Sequence, residues 1–382
     1  MLPQYHDARH QVRNGVIELV EELAKINEEA LQAVEESSVE ELEKARKELK
    51  KLDERDPLLA LNQLIDWESF RSTLTIIRPK HRKSPAGRKP FDEVMMFKCL
   101  ILQHLYNVSD DELEFQIRDR ISFCRFLGLT PDGRVPDAKT VWLFREQLTQ
   151  HELIKSLFYR FEQQLVNKGY HAKKGQILDA SIVKAPIQRN SRKDNAKIKA
   201  GETPDTFKDN PALERQKDVD ARWTKKHGKS HYGYKDHISI DNEHKLIRDY
   251  VVTDASVNDG NIEVVKPLIC NNTNADVYGD KAYRTKDIDD LLQEGKNRNQ
   301  ILRKKPKNKP VPKHVASGNK TKSKTRARVE HVFGAMENNL GGKFVRTIGL
   351  VRAATKIGLM NLAYNITRFV SLHRMSASKI GY

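Results

Sequence analysis

Apolar and polar positions change period along the chain, and the changes divide it. Val16, Leu19, Val20, Leu23 and Ile26 recur at the spacing of one helix face, and Val39, Leu42, Ala45 and Leu49 repeat it. Ser38 with Glu41 three residues on forms a capping box for the second segment. Residues 1–60 are therefore expected to form a helical hairpin extension, able to pack on the rest or to pair with a second copy. From 61 to 150 the period stays helical and the faces grow more apolar. Phe91, Val94, Met95, Phe97, Leu100, Ile101 and Leu105 predict a buried helix after Pro90. Leu113, Phe115, Ile117, Ile121, Phe123 and Phe126 predict the next, with Gly128 as its stop. Asp137 caps a third through Val141, Trp142, Phe144 and Leu148. A further helix over 152–168 leads to a short apolar run at 176–183, which reads as a buried strand.

Residues 187–230 are nearly devoid of apolar side chains and are expected to be a long polar loop, with Trp223 either stacking on a base or, on the preferred reading, holding the loop to the core. Alternation resumes at 232–240. A turn at 241–244 joins that strand to another at 246–253, giving an antiparallel hairpin. A helix over 261–270, a strand at 276–283, a helix over 285–294 and a short strand at 300–302 follow. Residues 303–328 are expected to be extended, and 354–372 to form an apolar helix covering the sheet. Strands interleaved with helices predict a mixed α/β sheet with helices on its faces, in an order compatible with a ribonuclease-H-like core. The expected division is 1–60 as an acidic helical hairpin, 61–150 as an all-helical domain and 151–375 as the sheet domain.

Charge narrows the partner. The formal net charge is +16, yet residues 1–60 carry 9 Lys and Arg against 15 Asp and Glu, so the basic excess lies in the remainder. Residues 303–328 hold 11 Lys and Arg and no acid. Such a balance points to an acidic polymer, most simply nucleic acid. The helices of 61–150, preceded by Arg82, Lys83, Arg88 and Lys89, resemble a helix-turn-helix bundle for DNA. Lys229 in the polar loop, Lys235 on the strand after it, and Lys322, Lys324, Arg326 and Arg328 in the basic segment are further candidates for phosphate contact. Cys99, Cys124 and Cys270 show no paired or zinc-binding spacing, which suits a reducing cytosol. No run reaches the ~20 apolar residues of a membrane span, and residues 1–13 lack a signal-peptide pattern.

Three acids carry the candidate chemistry. Asp179 lies inside the 176–183 run, Asp280 closes the strand at 276–283, and Glu330 follows Arg326 at helical spacing. A carboxylate inside a buried strand calls for a positive partner or a metal. Two strand-borne aspartates and one helix-borne glutamate suit a hard divalent cation. Lys235 and His237, on the strand after the loop, are placed as accessory candidates if strand alternation turns them to the same side.

In this order the motifs resemble bacterial insertion-sequence transposases with a DDE catalytic domain, of the insertion-sequence-five type. The carrying residues are Asp179 with Ile182, Lys184, Ala185 and Pro186; Gly233, Tyr234, Lys235, Asp236 and His237; Val252 and Thr253 with Ala255 and Asp259; Gly279, Asp280, Lys281, Ala282, Tyr283 and Arg284; and Arg326, Ala327, Arg328, Val329 and Glu330 with Phe333. Upstream, Pro90, Phe91 and the stretch 135–140 look like the helical N-terminal domain of the same family. Ser323 stands where the family pattern has tyrosine, and Glu337 where it has a basic residue, with Lys343 as a displaced replacement. The resemblance implies that Asp179, Asp280 and Glu330 hold two Mg²⁺ ions, with Mn²⁺ able to substitute. It implies that water frees a 3′-hydroxyl at each element end, and that this hydroxyl attacks target DNA without a covalent protein intermediate. It also implies double-stranded DNA as partner, a homodimer, no membrane, and a bacterial cytoplasm with nucleoid association. Two alternatives stay open: a catalytically silent, domesticated DNA-binding protein, and a structure-specific nuclease on the same fold.

Overall fold

The computed structural model describes residues 18–19, 21–28, 32, 39–44, 47, 56–78, 89–130, 132–188, 190–226, 228–270, 272, 275–306 and 310–380, the last four without their side chains. Two compact units divide the chain, Met1–Leu59 and Ala60–Tyr382. In the first, the described residues of 18–28 and 39–47 are helical. Leu19, Leu23 and Ile26 are 61, 56 and 58% exposed, and Val39 and Leu42 are 56 and 69% exposed. The Ser38 cap and the positions Val16, Val20, Ala45 and Leu49 lie outside the described residues.

Helices precede the sheet. They are α1 (Pro57–Leu64), α2 (Arg71–Leu74), α3 (Glu93–Tyr106), α4 (Asp110–Asp119), α5 (Ile121–Leu127), α6 (Ala138–Gln150) and α7 (Ile154–Asn167). Asp92 caps α3 by accepting from Met95 N, and Asn107 ends it at φ 49°. The helix is apolar on nearly every side, and Val94 to Leu102 are buried apart from Lys98. Trp67, Phe70 and Phe126 close around its Phe97, with Phe70 and Phe97 ring centroids 5.0 Å apart. The single helix expected over 113–126 is two, because Arg120 leaves the helical region at φ −105°, ψ 113°. Asp137 caps α6 through Thr140 N at 2.6 Å. Phe115 and Trp142, read as core, stand 59 and 47% exposed.

The sheet has six strands: β1 (Gln176–Lys184), β2 (Arg222–Lys226), β3 (Lys229–Asp241), β4 (Ile247–Asp254), β5 (Asp276–Tyr278) and β6 (Arg298–Asn299). Their order is β2-β3-β1-β5-β6, with β4 also paired to β3. β1 runs antiparallel to β3 and parallel to β5. The strand expected at 300–302 ends earlier, at Asn299.

The segment 187–230 is not a loop. It contains α8 (Arg192–Lys199), α9 (Asp205–Lys208), α10 (Pro211–Arg215) and β2. A Ser191–Asp194 capping box starts α8. Ile198, Phe207 and Ala221 are buried, and the Tyr234 hydroxyl donates to the Asp218 carboxylate at 2.7 Å. Phe207 anchors the segment; Trp223 is 46% exposed and lies against the Tyr232 ring.

Helices cover both faces of the sheet. On one side, α11 (Ile262–Cys270) and α12 (Lys286–Glu294) bring Val265, Leu268, Ile288 and Leu292 onto Leu178 and Val277. After β6 the basic segment is also helical, as α13 (Lys313–Arg326), followed by α14 (Arg328–Leu340) and α15 (Leu350–Ile380). Pro312 ends the extended stretch and starts α13, and the Asn319 side chain ties it to the backbone of Arg303. α15 covers the other face. Asn365 bonds both the N–H and the carbonyl of Ile247, and Asn361 donates to Asp236. Among the described residues no helix is long and apolar enough to cross a membrane.

Candidate active site

Asp179 sits near the centre of β1, opposite Ile238 of β3. Alternation puts it on the same face as Ile238 and Asp236, the face that α15 covers. β5 runs parallel beside β1, with Ile177 opposite Tyr278, and Asp280 follows two residues after β5 ends. Glu330 occupies the first turn of α14, whose apolar side buries Val329, Val332 and Met336. All three acids line one cleft of ≈ 570 Å³, together with Arg326, Lys226, Lys281, Ser323, Glu337 and Lys343.

Each aspartate commits one oxygen to the backbone. Asp179 Oδ1 accepts from Ala180 N at 2.8 Å, and Asp280 Oδ1 accepts from Ala282 N at 2.7 Å, where it caps a short 3₁₀ turn. Arg326 forks across Asp179 and Glu330. Its Nη1 donates to Asp179 Oδ2 at 3.0 Å and its Nη2 to Glu330 Oε1 at 2.7 Å. Burial pushes the Asp179 carboxyl up to about 6, the neighbouring Asp280 pushes the same way, and Ala180 N–H and Arg326 oppose both. Tyr283 lies beneath the acids with its hydroxyl buried and without a hydrogen-bond partner among the described residues. Burial, then Asp179, Asp259 and Asp280, hold that phenol well above its ordinary value.

Among the described residues no group of three or more His, Cys, Asp and Glu side chains is closed up as a metal cage. The donor chemistry nonetheless fits a hard cation. It is carboxylate oxygen only, and the half-buried Asp179 needs a positive neighbour, which Arg326 supplies here.

Lys343 reaches the cleft through the chain rather than through α14. Residues 343–345 pair with the end of β1, by Lys184 N to Lys343 O and Val345 N to Lys184 O, both 2.9 Å. Its ammonium pairs with Glu337. Gly233 makes the opposite side of this strand end possible, because a Cβ there would lie 2.2 Å from Val183 O. Lys226 is a cleft residue that sequence reading did not single out, and Lys281 entered it only as part of the motif around Asp280. Lys281 follows Asp280 directly, whereas Lys226 is brought in only by the β2–β3 pairing.

Other candidates lie elsewhere. Lys235 and His237 turn to the opposite face of the sheet from Asp179, because their partners in β1 are Ile182 and Ala180. Lys235 is paired with Asp259 at 2.8 Å, and His237 is buried against Thr253. Arg328 donates to the carbonyl and side chain of Asn242, fixing the β3–β4 turn. Lys322 is half-buried, its ammonium lowered by burial and by Arg303 and Arg284. Lys324, Lys229 and Lys89 are exposed, and Arg82, Lys83 and Arg88 lie outside the described residues.

Residues 46–147 match the family model described as a transposase domain (DUF772), and residues 170–366 match the one described as a transposase DDE domain. A solved piggyBac transposase synaptic complex with hairpin DNA is similar at 13% identity and a TM-score of 0.45, over 85% of this chain and 76% of that one.

Proposed function

The chain belongs to the transposases with a DDE domain, and from that membership we propose that it cuts the terminal inverted repeats of an insertion sequence at their 3′ ends and joins those ends to target DNA. Asp179, Asp280 and Glu330 are the catalytic carboxylates of this reading, on a ribonuclease-H-like core. The observation that carries it is that acids 101 and 50 positions apart along the chain line a single cleft with a basic rim.

These three side chains would hold two Mg²⁺, or Mn²⁺, which when bound supply the charge that activates an attacking oxygen and stabilises the leaving 3′ oxygen. The protein's own groups do the rest. Lys226 and Lys281 at the rim hold the phosphates on either side of the scissile one. Arg326, with two parallel N–H donors, can leave the carboxylates and grip a phosphate in the same bidentate way. Water oxygen attacks phosphorus, the bond from phosphorus to the 3′ oxygen breaks with its electron pair on that oxygen, and the proton lost by water completes the 3′-hydroxyl. In the joining step that 3′-hydroxyl attacks a target phosphorus, the target's own bond from phosphorus to 3′ oxygen breaks, and the proton lost by the nucleophile ends on the target 3′ oxygen released. Two ends joined together call for two clefts, hence a homodimer on double-stranded DNA, acting at the bacterial nucleoid.

Asp179→Asn and Glu330→Gln are each expected to abolish cleavage and joining of a labelled element-end duplex in Mg²⁺ while leaving its binding in place. Full activity in either variant removes that acid from the mechanism. Ser323, and Glu337 paired to Lys343, favour a second reading as a DNA-binding protein without catalysis. Wild-type binding with no cleavage in the same assay selects it.

A further inference from the structure

α14 carries two functional sides. Glu330, Phe333, Gly334 and Glu337 face the acid cleft, while His331, Ala335 and Asn339 face a second pocket of ≈ 240 Å³ between α14, α15 and the β3–β4 turn. Lys245 of that turn and Arg368 of α15 also line it, and no acid does. The pocket is built rather than incidental. Lys245 is held at φ 58°, its carbonyl accepts from the Tyr364 hydroxyl at 2.8 Å, and Arg368 Nε donates to His244 O at 2.7 Å. The acids of the turn are already engaged. Asp241 pairs with Arg248 and His244, and Glu243 pairs with Lys174. Burial lowers the Lys245 ammonium, and Arg368 and Arg328 lower it further. Cations gathered without an acid repel one another, and an anion entering the pocket relieves that repulsion.

We propose that Lys245, Arg368 and His331 form a phosphate-binding site, separated from the acid cleft by α14. Its ligand is a phosphate group, either of a DNA backbone or of a free polyphosphate. Asn339 adds a neutral donor at the rim. A phosphodiester held here would let one DNA strand be gripped on both sides of the helix that presents Glu330. The site adds to the transposase reading, but its binding does not depend on the three acids, so the two can fail separately.

The test uses the full chain in metal-free buffer. Calorimetry reads inorganic pyrophosphate, and anisotropy reads a duplex of arbitrary sequence across a salt series. Lys245→Gln and His331→Gln are compared with wild type and with Lys266→Gln, a change at an exposed lysine of α11, outside the pocket. Both pocket variants are expected to bind pyrophosphate about tenfold more weakly, as for loss of a charge-assisted hydrogen bond, while Lys266→Gln stays at wild type. If the ligand is DNA, Lys245→Gln also lowers the slope of log K against log salt by about 1. An unchanged slope with weakened pyrophosphate binding assigns the site to free phosphates. Equal pyrophosphate binding in all four proteins, with equal slopes, overturns the proposal. His331 is exposed, so its variant keeps the test open if Lys245→Gln fails to fold.

Discussion

Arg326 is the residue on which the cleft's charge turns. It pairs with a strand-borne aspartate and a helix-borne glutamate at once, through two different nitrogens of one rigid fork. Removing it leaves Asp179, only 19% exposed at its side chain, without its cation. Arg326→Ala should therefore lower folding stability in metal-free buffer by about 1–3 kcal/mol. Mg²⁺ should raise the melting temperature of this variant more than that of wild type, since a cation at the carboxylates replaces the lost guanidinium. Differential scanning fluorimetry with and without Mg²⁺ reads both effects, and an equal Mg²⁺ shift in the two proteins would place the cation elsewhere. Lys343 teaches a related lesson. Its separation from Glu330 gives no helical register for it, yet the pairing of 343–345 with the end of β1 delivers it to the rim.

At the level of elements, β1, β3 and α15 form the frame that presents Asp179, and a buried acid sits in its middle. Asp236 accepts from Asn361 through one oxygen at 3.1 Å, while the other has no partner among the described residues. Burial pushes its carboxyl up to about 7; Asn361 and Lys155 pull the other way. The unfolded chain loses this proton near pH 4. Between about 4 and 7 the folded protein holds a proton that the unfolded chain does not, so this group's contribution to stability is full below about pH 4 and is lost as pH rises through 7. Asp236→Asn keeps an uncharged acceptor for Asn361 and should flatten that decline, as read by urea denaturation at a series of pH values. An unaltered pH profile would mean the acid is not protonated in the fold. Much of this frame was legible beforehand, because β1 is a short apolar run, α15 a long one, and the β3–β4 hairpin alternates around a polar turn. The segment 187–230 was not legible. Its three short helices depend on single buried side chains such as Ile198 and Phe207 and on the tyrosine hydroxyls bound to Asp218, none of which makes a periodic pattern. The helix at Lys313–Arg326 was hidden for a related reason: apart from Val315 and Ala316 it has no apolar side chain, and none of its residues is buried.

Across the whole molecule, charge is divided between the two units. The second unit carries the basic excess and the cleft, which suits a polyanion. The first is acidic, which opposes DNA, and presents Leu19, Leu23 and Ile26 in a row at helical spacing, each more than half exposed. Exposed leucines at that spacing beside acidic positions suit another helix as partner, and a second copy of the same segment supplies one. Leu23→Glu combined with Leu42→Glu places like charges in that contact. If the first unit joins two protomers, the double variant should run at half the wild-type mass in size-exclusion chromatography with light scattering. It should still nick a single element end, because all three acids and Arg326 belong to the second unit. It should lose concerted joining of two ends, which needs two clefts held at a fixed separation. An undiminished mass would move the contact out of the first unit, and concerted joining by a monomeric variant would remove the need for it.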